Sequence, residues 1–126
     1  MSWTLYISHQ ARQDIDDIWH NGLNEFGIRV ADDYELLIQQ SLQDLMEDPR
    51  RTGTKPVRGH KEDILSYPII HSKPRAKGHI KHPRHAVYYY LIGKHIVAIA
   101  SISRQEREQH IGNLRREDIL KEIREN

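Results

Sequence analysis

Apolar residues recur at helical spacing in two consecutive stretches near the start of the chain. In the first, Ala11, Ile15, Ile18, Trp19 and Phe26 line up, while Arg12, Asp14, Asp16 and Asp17 fall mostly elsewhere. Ser8 stands just ahead of them, where a hydroxyl can accept from an otherwise unpaired helical amide. Gly27 interrupts the pattern, which resumes with Val30, Ala31, Tyr34, Leu37, Ile38, Leu42, Leu45 and Met46. It stops at Asp48-Pro49, because proline pushes the residue before it out of the helical region. Two amphipathic helices joined this closely predict an antiparallel hairpin with a shared apolar face.

The remaining patterns have the period of strands. WTLYI, residues 3–7, is short but rich in strand formers. From Pro49 to Lys61 the composition turns to Pro, Gly, Arg, Lys and Thr, a connection. DILSYPII, residues 63–70, resumes strand character, with Pro68 arguing for an edge position or a bulge. HAVYYYLI and HIVAIASI, either side of Gly93-Lys94, predict a β-hairpin. Strict alternation puts Ile96, Ala98, Ala100 and Ile102 on one face of its second strand, with Val97 and Ile99 on the other. Both faces are apolar, as in a central strand covered by helices on at least one side. Beyond it, Ile111, Leu114, Ile119, Leu120 and Ile123 among alternating charges suggest an amphipathic tail that needs something to pack on. The order strand-helix-helix-strand-strand-strand gives an α+β fold: a helical hairpin on a mainly antiparallel β-sheet, with a helical C-terminal tail.

Length and composition narrow the class. At 126 residues the chain fits one domain, read as residues 1–111 with residues 112–126 as its tail. The formal charge of +1 means that the whole molecule is not built as a polyanion binder, so steering must come from a local patch. Absence of cysteine excludes disulfides and thiolate zinc sites and suits a reducing cytoplasm. No signal peptide is evident at the N-terminus, and no apolar run approaches the ~20 residues that cross a bilayer.

The local patch is HSKPRAKGHIKHPRH, residues 71–85, with five lysines and arginines, four histidines and no acid. Four readings compete. Pro74, Gly78 and Pro83 suit a solvated, mobile loop. Lys73, Arg75, Lys77, Lys81 and Arg84 suit a surface for nucleic-acid phosphates. His79, His82 and His85 invite a metal, although no carboxylate accompanies them and nearby cations repel one. Arg84 and His85 also suit a part in an active site.

The chain resembles the ParE branch of the ParE/RelE toxin superfamily, the toxic halves of bacterial type II toxin–antitoxin pairs. The resemblance rests on Ala11, Asp14-Ile15, Ile18-Trp19 and Phe26-Gly27, then on Ala31, Tyr34, Ile38, Leu42, Leu45, Pro49 and Gly53. Tyr88-Tyr89 and the segment Arg104 to His110-Ile111 complete it, over roughly residues 4–111. The chain departs from the family where Tyr90 replaces a usual arginine and where Ile102 or Ser103 replaces a frequent histidine. Its basic connection and its tail are also longer than usual.

The resemblance implies a cytoplasmic inhibitor of DNA gyrase that acts by binding, inhibits growth, stabilises plasmids and uses no cofactor. Arg104 and the basic residues Lys73, Arg75, Lys77, Lys81 and Arg84 would then face the target. It also implies a cognate antitoxin, laid over the hairpin and sheet as a helix or added strand, with Trp19 and Tyr34 lining its groove. A heterotetramer with that antitoxin is one assembly it allows. The plain reading of Trp19 and Tyr34 is core packing. The alternative is a ribosome-dependent messenger-RNA ribonuclease of RelE type, whose cleavage needs a proton acceptor, a donor and cations. Arg84, His85, Tyr90, Arg104 and His110 are the candidates, although Tyr88, Tyr89 and Tyr90 also read as ordinary sheet packing. A third reading is a degenerate interaction module.

Overall fold

A computed structural model describes residues 3–60, 62–106 and 115–125. The strands are β1 (Thr4–Ile7), β2 (Lys55–Pro56), β3 (Leu65–Pro68), β4 (His85–Ile92) and β5 (Ile96–Arg104). The helices are α1 (His9–Phe26), α2 (Ile28–Glu47) and α3 (Arg116–Glu125), with a 3-10 helix at Ile69–Arg75. One sheet runs in the order β1-β5-β4-β3-β2; β1 lies parallel to β5 and the other pairs are antiparallel. No helix among the described residues is long and apolar enough to cross a membrane.

The helical hairpin forms where the periodicity placed it. Ser8 caps α1 by accepting from the Ala11 amide at 3.1 Å. Gly27, at φ 93°, both ends α1 and begins α2, a conformation that a side chain would strain. Ala11, Leu37, Ile38, Leu42 and Leu45 pack on Leu65, Tyr67, Val87, Tyr89, Val97 and Ile99 of the sheet. Phe26 departs from the expected apolar face, because the turn carries it past the sheet and leaves it 67% exposed.

The opposite face of the sheet has its own core, built from Val57, Ile64, Ala86, Tyr88, Tyr90, Ala98, Ala100 and Ile119 of α3. The tail therefore has its packing surface. Polar groups hold it there as well: Glu62 accepts from the Arg116 amide at the open end of α3, and Glu122 accepts from the Tyr6 hydroxyl and the His9 amide. Ile111 and Leu114 of the expected tail lie outside the described residues.

Three strand expectations change. β2, only two residues long, comes from the supposed connection Pro49–Lys61. The third strand ends at Pro68, beyond the reach of β2, where its missing amide breaks no ladder; Ile69 and Ile70 turn into the 3-10 helix instead. Finally, Ile102 does not share a face with Ala98 and Ala100. Tyr88 pairs with Ser101 but Tyr89 with Ile99, leaving Ala100 as an unpaired extra residue. This bulge reverses the alternation, so Ile102 joins Val97 and Ile99 under the helices.

The bulge lies past the end of β1, and α1 closes the open edge. Ser8 donates its hydroxyl to the Ala100 carbonyl at 3.0 Å and its amide to Ile99. Asp14 accepts from the Ile102 amide at 3.0 Å and the Ser101 hydroxyl at 2.8 Å. Replacing Asp14 by Ala would strand the Ile102 amide and leave the Ser101 hydroxyl with Ser103 alone, and should lower stability by about 2 kcal/mol in urea unfolding, whereas Asp17→Ala should change little.

Candidate target-binding surface

The basic segment is tied to α2 at several points rather than left as an unattached loop. Its first part is the 3-10 helix, whose Ile69 and Ser72 are fully buried. Asp44 projects from α2 with its side chain only 2% exposed. It accepts from Arg75 Nη2 and Ser72 Oγ, both at 2.6 Å, and from Gln40 at 2.9 Å; Arg51 stands 3.5 Å away. Ser72 in turn accepts from the buried Tyr67 hydroxyl at 2.8 Å. Burial alone would raise the Asp44 pKa; the Arg75, Ser72 and Gln40 hydrogen bonds and the Arg51 charge outweigh it and hold the carboxyl below its ordinary range.

The segment then follows α2 back toward its start. Gly78 passes so close to Asp33 that an added Cβ would lie 2.9 Å from its Cα, and the His79 amide donates to the Asp33 carboxylate. Lys73 Nζ donates to the Lys81 carbonyl at 3.0 Å, closing the loop on itself. Pro83 is buried. Lys77, Lys81 and Arg84 remain exposed, and none forms an ion pair among the described residues. Arg75 differs from them, because its guanidinium is already neutralised by Asp44.

The segment ends at His85, directly across the ladder from Arg104. His85 and Arg104 thus lie side by side at one end of the sheet, with Arg84 the residue before His85 in the chain. Tyr34 reaches the same point from α2: its hydroxyl accepts from the Arg84 amide at 3.3 Å and lies 2.5 Å from His85 Nδ1. Burial, followed by the Arg104 charge, lowers the His85 pKa to about 4. Burial also raises that of Tyr34, which keeps its proton at neutral pH. The ring is therefore neutral at neutral pH, with Nδ1 engaged by the Tyr34 hydroxyl.

The other expected residues are elsewhere. Tyr88, Tyr89 and Tyr90 are fully buried in the sheet, as ordinary packing requires. Tyr90 faces α3 on the side away from the hairpin; burial first, and then the Glu62 carboxylate, raise its pKa. Trp19 is not in either core: its indole donates to Asp32 at 3.1 Å on the outer side of the hairpin. Tyr34 packs against the core and is committed to His85, so the two proposed groove residues have separate surroundings. His110 lies outside the described residues. Among the described residues no group of three His, Cys, Asp or Glu side chains is placed to hold a metal. Asp44 and Asp33 were missed as anchors; the signal for Asp44 was a carboxylate set among Ser41, Leu42 and Leu45 on an apolar helix face.

The family described as "ParE toxin of type II toxin-antitoxin system, parDE" matches residues 5–109. Among solved structures, a chain of the chromosomal ParDE system from P. aeruginosa is similar at a TM-score of 0.60 and 14% identity, covering 82% of this chain and 96% of that one. A chain of the RelBE2 toxin–antitoxin complex from Mycobacterium tuberculosis is similar at a TM-score of 0.51 and 16% identity, covering 83% of this chain and 100% of that one. At these identities the structures share the fold. No curated protein matches the sequence.

Two acid sensitivities follow. His85 takes up its proton near 6.5 when unfolded and near 4 when folded, so its stabilisation is complete above the upper value and declines as pH falls between them. At pH 5 the loss should reach about 2 kcal/mol, and His85→Gln should remove that part of the pH slope in urea unfolding. The Asp44 carboxyl titrates below its unfolded value of 3.8, so its contribution holds above that and disappears as pH falls further. Asp44→Ala should cost about 3 kcal/mol at neutral pH and release the basic segment to proteolysis.

Proposed function

The chain belongs to the ParE toxin family of type II toxin–antitoxin systems, and on that basis we propose that it inhibits DNA gyrase by binding and is neutralised by a cognate antitoxin. One observation carries the preference for binding over bond breaking. The imidazole paired with Arg104 across the ladder is half-buried, has Nδ1 engaged by the Tyr34 hydroxyl and a pKa lowered to about 4, so it is a poor proton acceptor at neutral pH. Tyr90, the other candidate in the sheet, is buried against α3. What the surface offers a large partner is positive charge: Lys77, Lys81 and Arg84 without an ion pair among the described residues, Arg104 in an exposed pair with Glu106 at 3.5 Å, Lys73 beside them and Arg75 anchoring the segment from behind.

A gyrase stalled on cleaved DNA presents both protein and phosphates, and an ordered cationic surface suits the phosphates. Its order matters because cations already held in place lose less freedom on binding than those of a loose loop. The ribonuclease reading keeps one supporting observation, the pairing of His85 with Arg104 at one end of the sheet, next to Arg84 in the chain. Binding to an antitoxin is supported by the exposed helical hairpin, on which Trp19 is available.

Supercoiling of relaxed plasmid by purified gyrase, beside cleavage of messenger RNA on ribosomes, tests the two readings. The first assay should be inhibited and the second unaffected. Changing Lys77, Lys81, Arg84 and Arg104 to Gln should weaken inhibition and reduce its salt dependence, by about one unit of log–log slope for each cation that touches a phosphate. Full supercoiling at excess protein would remove gyrase as the target.

A further inference from the structure

Residues 49–61, which composition marks only as a connection, carry five cations of their own: Arg50, Arg51, Lys55, Arg58 and Lys61. The strand pairing brings this connection to the end of the sheet that already holds the basic segment. Lys55 begins β2 opposite Ser66, Pro68 ends β3 opposite Ala86, and His85 begins β4 opposite Arg104. A row at that end therefore runs from Lys55 to Arg104 over three strand spacings, about 14 Å. A cleft of about 170 Å³ lies along it, lined by Lys55, Ser66, Pro68, Ala86 and Gln105, with no acid among them.

Three contacts fix the connection in place. The buried Tyr89 hydroxyl donates to the Pro49 carbonyl at 2.5 Å. Arg51 stands 3.5 Å from Asp44, with its guanidinium over the Tyr67 ring. Gly53, at φ 104°, passes so close to the 3-10 helix that an added Cβ would lie 2.7 Å from the His71 ring. Asp44 thus holds both basic stretches, one through Arg51 and the other through Arg75. The cations that it does not engage remain outside. Arg50, Lys55 and Arg58 are exposed without an ion pair among the described residues, as are Lys77, Lys81 and Arg84.

Residues 49–85 carry ten lysines and arginines against two acids, a net +8. One of those acids, Glu62, is committed to the Arg116 amide of α3. The helical hairpin, residues 9–48, carries ten acids and two arginines, a net −8, so a polyanion is drawn to one side of the molecule and repelled from the other. Side-chain chemistry then selects among polyanions. Residues 49–85 contain no Trp or Phe, and their one tyrosine, Tyr67, is fully buried. They offer none of these rings for the bases of a single strand to stack on. What they offer is charge for backbone phosphates, which a duplex presents at regular spacing. The row from Lys55 to Arg104 is comparable with the about 12 Å width of a DNA major groove, so cations at its two ends can reach phosphates on either side.

We propose that the chain binds duplex DNA directly, without gyrase, and that Arg50, Lys55 and Arg58 form the half of the contact that the basic segment does not supply. Asp44 makes the two halves one surface, because it holds both. Contacts to phosphates carry no base information, so this binding is independent of sequence. The inference goes beyond the gyrase reading: it gives the chain its own hold on DNA, whatever enzyme that DNA is bound to.

The test is fluorescence anisotropy of a labelled duplex of about twenty base pairs, titrated with the full-length chain over a range of salt and with no gyrase present. With six cations on phosphates, log Kd should rise with log salt at a slope of about 5. The joint change Arg50→Gln, Lys55→Gln and Arg58→Gln should lower that slope by about 2.7 and weaken binding at least about tenfold at low salt. These side chains are exposed, so the melting temperature should not move. Lys94→Gln, on the β4–β5 turn at the opposite end of the sheet, should alter neither affinity nor slope. A duplex left unbound by the unaltered chain at low salt overturns the inference and leaves the gyrase reading to the supercoiling assay. Binding that ignores the triple change also overturns it, assigning DNA to the basic segment alone, and so does tighter binding of a single strand of equal length. Duplex binding with the expected slopes stands even if supercoiling is unaffected, in which case only the gyrase reading fails.

Discussion

Asp44 occupies a position where the spacing of α2 calls for an apolar side chain, and the placement of the basic surface depends on it. A carboxylate with its side chain 2% exposed persists only when other groups replace its lost water. Here Arg75, Ser72 and Gln40 donate to it, Arg51 adds charge, and Tyr67 completes the chain through Ser72. The donors come from α2, the loop after it and the 3-10 helix, while Tyr67 belongs to β3. One ion thus ties four separate stretches together. A hydrophobic residue at 44 would fill the space without specifying where the 3-10 helix sits. The carboxylate specifies it, because only one placement satisfies Arg75 and Ser72 together.

That constraint changes the character of the segment it holds. A connection dense in lysine, proline and glycine lacks the apolar surface to order itself, and the sequence pattern read that lack correctly. What the pattern did not contain was the partner. Asp44, Asp33 and Tyr34 all lie on α2, and each takes one point of the segment: Arg75 and Ser72, then Gly78 and His79, then Arg84 and His85. The order is supplied by the helix. Periodicity measures only neighbours along the chain, so pairs separated by 28 to 51 residues leave no local trace.

The same distinction separates what was legible from what was not. The helical hairpin, the Ser8 cap and the β4–β5 pair were readable because each is set by residues within one or two turns of one another. The family resemblance was readable because it sums such local features. The two-residue β2 and the face of Ile102 were not. A strand that short has no period, and the bulge at Ala100 is fixed from outside the strand by Ser8 and Asp14. Asp14 had been visible only as a polar position of α1. In the folded chain it replaces the β-partner that β1 is too short to provide.

The sheet is covered on both faces, and this determines where the molecule can be approached. The helical hairpin closes one side and α3 the other, so the tyrosines of β4 are sealed from solvent. α3 lies beyond the residues that match the family, and it is held by Glu62 and Glu122 as well as by Ile119. With both faces of the sheet occupied, contact with a large partner falls to the ends and the outer helices. The charges are divided between those two places: acids on the hairpin, bases where the segment returns to β4. Opposite charge on separate surfaces lets the chain carry a net charge near zero and still present two local fields of opposite sign. It also sets a physical limit, since salt that screens one surface screens the other, and the ordered geometry of each must then supply the selectivity that charge alone cannot.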